Sequence, residues 1–116
     1  MCIRDRFETG QGVAKDYAEA VRLYSLAAAQ GHAAAQNNLG NMFHNGQGVA
    51  TDFAEAVRLY SLAAAQGHVP AQYWLGYMFY NGQGVAQDRA EAIRLYRLAA
   101  AQGDAAATAA LKRLGV

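Results

Sequence analysis

The chain repeats itself every 36 residues, and no other feature limits its fold as strongly. Moved back by one period, Gly46 to Asn81 lies on Gly10 to Asn45 with eight differences. These are Lys15/Thr51, Tyr17/Phe53, Ala33/Val69, Ala34/Pro70, Asn37/Tyr73, Asn38/Trp74, Asn41/Tyr77 and His44/Tyr80. Moved forward, the template continues over Gly82 to Leu111. A fixed period of this size marks stacked units, none of which buries its own apolar face alone.

Each unit reads as two helices. The first, helix A, opens at Asp16, Asp52 or Asp88, good N-caps. Glu19, Glu55 and Glu91, three residues on, suggest a capping box. Ala20, Leu23, Tyr24, Ala27 and Ala28 then follow the i, i+3, i+4, i+7, i+8 spacing of a buried stripe. Gly31, Gly67 and Gly103 stop the helix.

The second, helix B, runs from about Ala33 to His44 and repeats at Val69 and Asp104. Its expected core positions are Ala35, Leu39, Met42 and Phe43, then Ala71, Leu75, Met78 and Phe79. Pro70 falls in a first turn, where a missing N–H does no harm. Gly40 and Gly76 cost roughly 1 kcal/mol each mid-helix, which implies a closely packed neighbour. The short Gly-Gln-Gly-Val-Ala connectors make adjacent helices antiparallel. The expected architecture is an all-α solenoid of stacked antiparallel helix pairs, with units 10–45, 46–81 and 82–116. Lys112 and Arg113 put charge where a further unit would pack, so the last helix reads as a C-terminal cap.

The template begins only at Phe7, and Met1-Cys2-Ile3-Arg4-Asp5-Arg6 does not follow it. The leader lacks the apolar region of a signal peptide. Its first five residues can be encoded by a transposon end used in preparing sequencing libraries. We expect residues 1–6 to be adapter read-through rather than a short native tail, with further repeats upstream in the native chain. Cys2 then says nothing about redox compartment. Residues 7–116 carry eight basic and eight acidic side chains, against ten and nine for the whole chain. Neither balance supplies the basic surface that nucleic acid or an acidic membrane needs. No apolar run approaches the ~20 residues that span a bilayer.

With these residues in view, the chain resembles the Sel-1-like repeat, a slightly longer relative of the tetratricopeptide repeat. Asp-x-Ala-Glu-Ala opens helix A and Ala-Ala-x-Gln-Gly-His closes it. Ala-Gln-x-x-Leu-Gly-x-Met-Phe in helix B and the Asn-Gly-x-Gly-Val exit complete the likeness. Leu26, Leu62 and Leu98 depart from it, standing where the family is usually polar; Leu23, Leu59 and Leu95 replace a frequent aromatic. The resemblance implies a right-handed solenoid with A helices lining a concave surface. It also implies a non-enzymatic adaptor for protein or peptide partners, mostly in bacterial signalling, secretion and host interaction. Family members occur in several bacterial compartments, so localisation stays open. A cysteine-rich branch carries one disulfide per repeat, but no repeat here contains a cysteine.

Chemistry-bearing residues are few. The Gly-Gln-Gly triplets lack the preceding strand and the G-x-G-x-x-G frame of a dinucleotide loop, so they read as turns. His32 and His68 lie one repeat apart without a carboxylate or thiol at ligand spacing, and hydrogen bonding at the start of helix B is the expected role. His44 is expected at the exposed end of helix B. No catalytic, cofactor or metal constellation emerges.

Glu19/Arg22, Glu55/Arg58 and Glu91/Arg94 are either solvated i, i+3 pairs or the basis of an arginine ladder. On the ladder reading the groove comprises Val21, Arg22, Ser25, Val57, Arg58, Ser61, Ile93, Arg94 and Arg97 and suits an acidic segment. Differences between copies concentrate on helix B. There Tyr73 and Tyr77 are expected to pack, while Trp74 and Tyr80 are open between packing and an aromatic interaction patch. Two further expectations concern context. The repeats alternatively recruit substrate for an upstream enzyme or signalling domain, and the first helix A, lacking its upstream cover, drives self-association.

Overall fold

The structure, a computed structural model, describes residues 11–116; the leader over residues 1–6 lies outside them. The described residues form α1 (Gln11–Ala29), α2 (Ala33–Asn45), α3 (Phe53–Ala65), α4 (Val69–Asn81), α5 (Arg89–Ala101) and α6 (Ala105–Leu114), with no strand among them. Odd-numbered helices are the A helices and even-numbered ones the B helices. Each helix packs on the next in sequence, giving an all-α solenoid of extents 48 × 30 × 26 Å. Its radius of gyration is 15.5 Å, against ~13 Å for a compact globule of about 100 residues.

The core follows the expected stripe. Ala56, Leu59, Tyr60 and Ala63 are buried on α3, and Ala92, Leu95, Tyr96 and Ala99 on α5. Opposite them lie Ala35, Leu39 and Met42 of α2 and Ala71, Leu75 and Met78 of α4. Phe43 and Phe79 are only partly buried, at the edge of this core. The helical glycines admit the tyrosines: a Cβ on Gly40 would lie 2.8 Å from Tyr60 Cε1, and one on Gly76 3.0 Å from Tyr96 Cε1.

The capping differs from expectation in three places. Asp52 and Asp88 do cap, each accepting the N–H three residues on at 3.1 Å. The capping box is left half-made, however, because Glu55 and Glu91 turn away to Arg58 and Arg94. Nothing is lost by this. The Asp52 N–H already donates to Phe43 O and that of Asp88 to Phe79 O, both at 2.9 Å, in the preceding B helix.

Asp16 is the second departure, since α1 starts at Gln11 and carries Asp16 inside it. Gln11 and Gly12 are likewise helical rather than a turn. Third, His32 and His68 make no side-chain cap bond. Their backbone closes the preceding helix instead: the His68 N–H donates to Ala63 O at 3.1 Å and that of Gly67 to Ala64 O at 2.9 Å, the Schellman pattern at the end of α3. Only Asp104 caps helix B by its side chain, accepting from Ala107 N at 2.8 Å.

Two connector glycines approach backbone rather than side chains. Gly48 and Gly84 sit at φ +76° and +75°. A Cβ there would meet the carbonyl carbon and oxygen of Tyr17 at 2.7 Å, or of Phe53 at 2.5 Å. Only glycine satisfies both the left-handed φ and this approach.

Candidate protein-binding surface

Two equivalent grooves lie between successive A helices. The first, about 310 Å³, is lined by Ser25, Ala28 and Ala29 of α1, Leu39 and Phe43 of α2, and Glu55, Arg58, Leu59 and Leu62 of α3. One period on, the second holds Ser61, Ala64 and Ala65 of α3, Leu75 of α4, and Arg94, Leu95 and Leu98 of α5, in about 250 Å³. The fold therefore joins the serine of one unit with the arginine of the next. A third recess, on α5 itself, is lined by Ile93, Arg94, Arg97 and Leu98. Val21, Arg22 and Val57 line none of these three, and Val57 packs partly against the core.

The arginines stand out from the helices and each is held by its own glutamate. Nε of Arg58 and of Arg94 donates to Glu55 and Glu91 at 2.9 Å, that of Arg22 to Glu19 at 3.3 Å, and a second guanidinium nitrogen closes each fork. Hydrogen bonding to Arg22 and Arg94 lowers the carboxyl pKa of Glu19 and Glu91, and the same bonds raise all three guanidinium groups. Such exposed pairs are worth only a few tenths of a kcal/mol. Among the described residues Arg97 makes no ion pair.

The exposed leucines complete this surface. Leu26, Leu62 and Leu98 are 56%, 44% and 42% exposed, one per unit at the same position. Their polar-to-leucine departure was visible in the sequence, but its place on a groove rim depends on how A helices pair across units.

The aromatic stripe on the B helices lies elsewhere. Trp74 is half-buried, stacked on Tyr60 with ring centroids 6.5 Å apart and flanked by His44, Tyr73 and Tyr77. Tyr73 packs on Tyr96 at 5.5 Å. His44 is half-buried rather than exposed, since Phe53 lies 5.2 Å from its ring. Tyr80 carries Arg89 over its face at 5.0 Å, within cation–π range. Burial pushes the Tyr96 phenol up to about 12.

The Sel1 repeat pattern matches three times, over residues 2–32, 33–68 and 69–104. The chain belongs to the Sel1 repeat family. Sel1 repeat proteins are generally protein–protein interaction modules and typically non-catalytic. Among solved structures, this Sel1 chain is similar to a protective antigen of uropathogenic Escherichia coli displaying an SLR fold. The identity is 43%, the TM-score 0.79, and the match covers 88% of this chain and 22% of the antigen. A Sel1 repeat protein from Oxalobacter formigenes is 40% identical with a TM-score of 0.74, over 78% of this chain and 37% of the other. This chain thus spans well under half the length of both. Helicobacter pylori cysteine rich protein B, at 21% identity, shares the fold with a TM-score of 0.73, covering 92% of this chain and 95% of that one. No curated protein matches the chain significantly by sequence.

Among the described residues no group of three or more histidine, cysteine, aspartate or glutamate side chains converges as a metal site. Within the same residues no helix is long and apolar enough to cross a membrane.

Proposed function

We propose that this Sel1 chain is a non-enzymatic scaffold that binds a protein or peptide segment along the concave face lined by its A helices. The observation that carries this reading is the recurrence of one groove at a one-unit interval, serine and alanine on one wall and arginine and leucine on the other. Repeated subsites suit an extended or helical ligand that meets each unit in turn. Exposed leucines call for apolar ligand positions, and loosely paired arginines call for carboxylates between them. The test is binding of an acidic peptide library to the wild type and to Arg22/Arg58/Arg94→Ala. Each lost charge contact at an exposed site is worth ~0.2–1 kcal/mol, so the variant is expected to bind about three- to a hundredfold more weakly. Equal binding by both proteins removes the ladder.

A second reading, as the recruitment module of a larger enzyme or signalling protein, is supported by the short span of this chain against its first two structural relatives. Finding a catalytic domain beside the repeats in the native gene product favours it; repeats alone return the adaptor reading.

Self-association through α1 is a further part of the proposal. Leu23 is 51% exposed where Leu59 and Leu95 are 2% and 3%.

A further inference from the structure

A cavity of about 330 Å³ lies on the other side of α5 from Arg94, lined by Tyr77, Tyr80 and Asn81 of α4, Tyr96 of α5, and Ala110, Arg113 and Leu114 of α6. Its size is at the small end of the ~300–1,000 Å³ range for ligand pockets. The repeat itself shows what such a space holds. Moved back 36 residues, Ala110 becomes Trp74, Tyr96 becomes Tyr60, Tyr80 becomes His44 and Arg113 becomes Tyr77. In the preceding unit the Trp74 ring stacks on Tyr60 at 6.5 Å and lies 6.2 Å from His44 and 5.7 Å from Tyr77. Three of that indole's four ring neighbours, Tyr60, His44 and Tyr77, are therefore counterparts of cavity walls, while the fourth, Tyr73, corresponds to Ala109. The third unit keeps the tyrosine wall at Tyr96, changes the others and removes the indole, leaving a methyl group at Ala110.

The polar groups have changed in the same place. Asn41, which accepts the Tyr60 hydroxyl at 2.5 Å, is replaced by Tyr77. Phe53, against His44 in the preceding unit, is replaced by Arg89 against Tyr80. Arg113 thus lines the cavity where the preceding unit has a ring, Arg89 sits against its Tyr80 wall, and among the described residues no carboxylate lines it.

We propose that this cavity seats the C-terminal aromatic residue of a partner polypeptide, a tryptophan or phenylalanine whose ring takes the place of the missing indole and whose α-carboxylate meets Arg113. This site is distinct from the A-helix grooves and stands whether or not they bind peptide. An aromatic ring between tyrosine faces gains both area and ring–ring contact. A carboxylate on a guanidinium adds a charge-assisted hydrogen bond.

The test uses N-acetyl-tryptophan and N-acetyl-tryptophanamide as probes, followed by backbone NMR shifts of the whole chain. The acid is expected to bind in the millimolar range and to move the amides of Ala110 and Arg113. The neutral amide is expected to bind about fivefold more weakly, the scale of a partly exposed ion pair. Ala110→Trp supplies the indole from within, as Trp74 does, and is expected to abolish binding and raise Tm. Arg113→Gln, an exposed change that leaves packing alone, is expected to reduce the acid to the affinity of the amide. A short peptide ending in tryptophan with a free carboxylate is expected to bind more tightly than the acid. No shift at Ala110 with millimolar probe, or undiminished binding by a folded Ala110→Trp protein, overturns the seat. An unchanged acid preference in Arg113→Gln overturns the carboxylate contact, and a peptide weaker than the acid overturns the polypeptide source.

Discussion

The ring of Tyr60, fully buried, lies so near α2 that a Cβ on Gly40 would meet Cε1 at 2.8 Å and Cδ1 at 3.0 Å. Replacing an interior helical glycine by alanine ordinarily stabilises by about 1 kcal/mol. Here the methyl group has nowhere to go, because the ring is clamped between α2 and Trp74. We expect Gly40→Ala to lower stability by about 1–3 kcal/mol, the usual cost of overpacking. Urea denaturation measures this, and a gain in stability contradicts the packing. That Gly40 and Gly76 mark a close approach was legible in the sequence, since a helix former would otherwise stand there. That the approaching group is a tyrosine was not, as the partner sits 20 residues away on the next unit.

Among the elements, the first helix differs from its two copies although the sequence repeats. Asp52 begins α3 because its side chain caps Glu55 N while its own N–H is held by Phe43 O. Asp16 has the same local sequence but lies inside α1. The same local sequence thus starts a helix where Phe43 O or Phe79 O holds the Asp N–H, and lies within a helix at Asp16. Asp52→Ala and Asp88→Ala are each expected to cost about 1 kcal/mol, the ordinary worth of an N-cap. Asp16→Ala is expected to change stability by less than about 0.5 kcal/mol, as an exposed helical substitution does. Equal losses at all three positions, read from thermal unfolding, return α1 to a start at Asp16. Helix number, order and ends were otherwise legible from spacing and glycines. The half-made capping boxes and the idle His32 and His68 were not, because both depend on which backbone partner is already engaged.

For the molecule as a whole, stacking buries one face of α3 and of α5 under the B helix before it, and the described residues leave the matching face of α1 open. Leu23 and Leu26 are more than half exposed, at 51% and 56%. Apolar area of this kind gains about 25 cal/mol per Å² when buried, which favours a second copy. Light scattering across a concentration series is expected to show rising mean mass, reversed in Leu23→Glu; a constant monomer mass at high concentration counts against it. The solenoid itself was readable from the period alone. Its grooves were readable only in part: Ser25, Arg58, Ser61 and Arg94 were singled out, whereas the pairing of each serine with the next unit's arginine required the packing. The cavity beside Tyr96 left a trace in the repeat alignment, a tryptophan turned to alanine, which only the preceding unit's stacking makes meaningful.

The contact of Gly48 with the Tyr17 carbonyl, and of Gly84 with that of Phe53, sets how the chain can change in length. Each connector gauges the new unit against main chain laid down one unit earlier, so side chains on the outer faces vary without disturbing the step. An insertion or deletion of a few residues would move the glycine off its carbonyl and lose the spacing for every later unit. Growth or loss by whole units keeps every such contact. The architecture is thus tolerant of surface substitution and of duplication, and intolerant of anything in between.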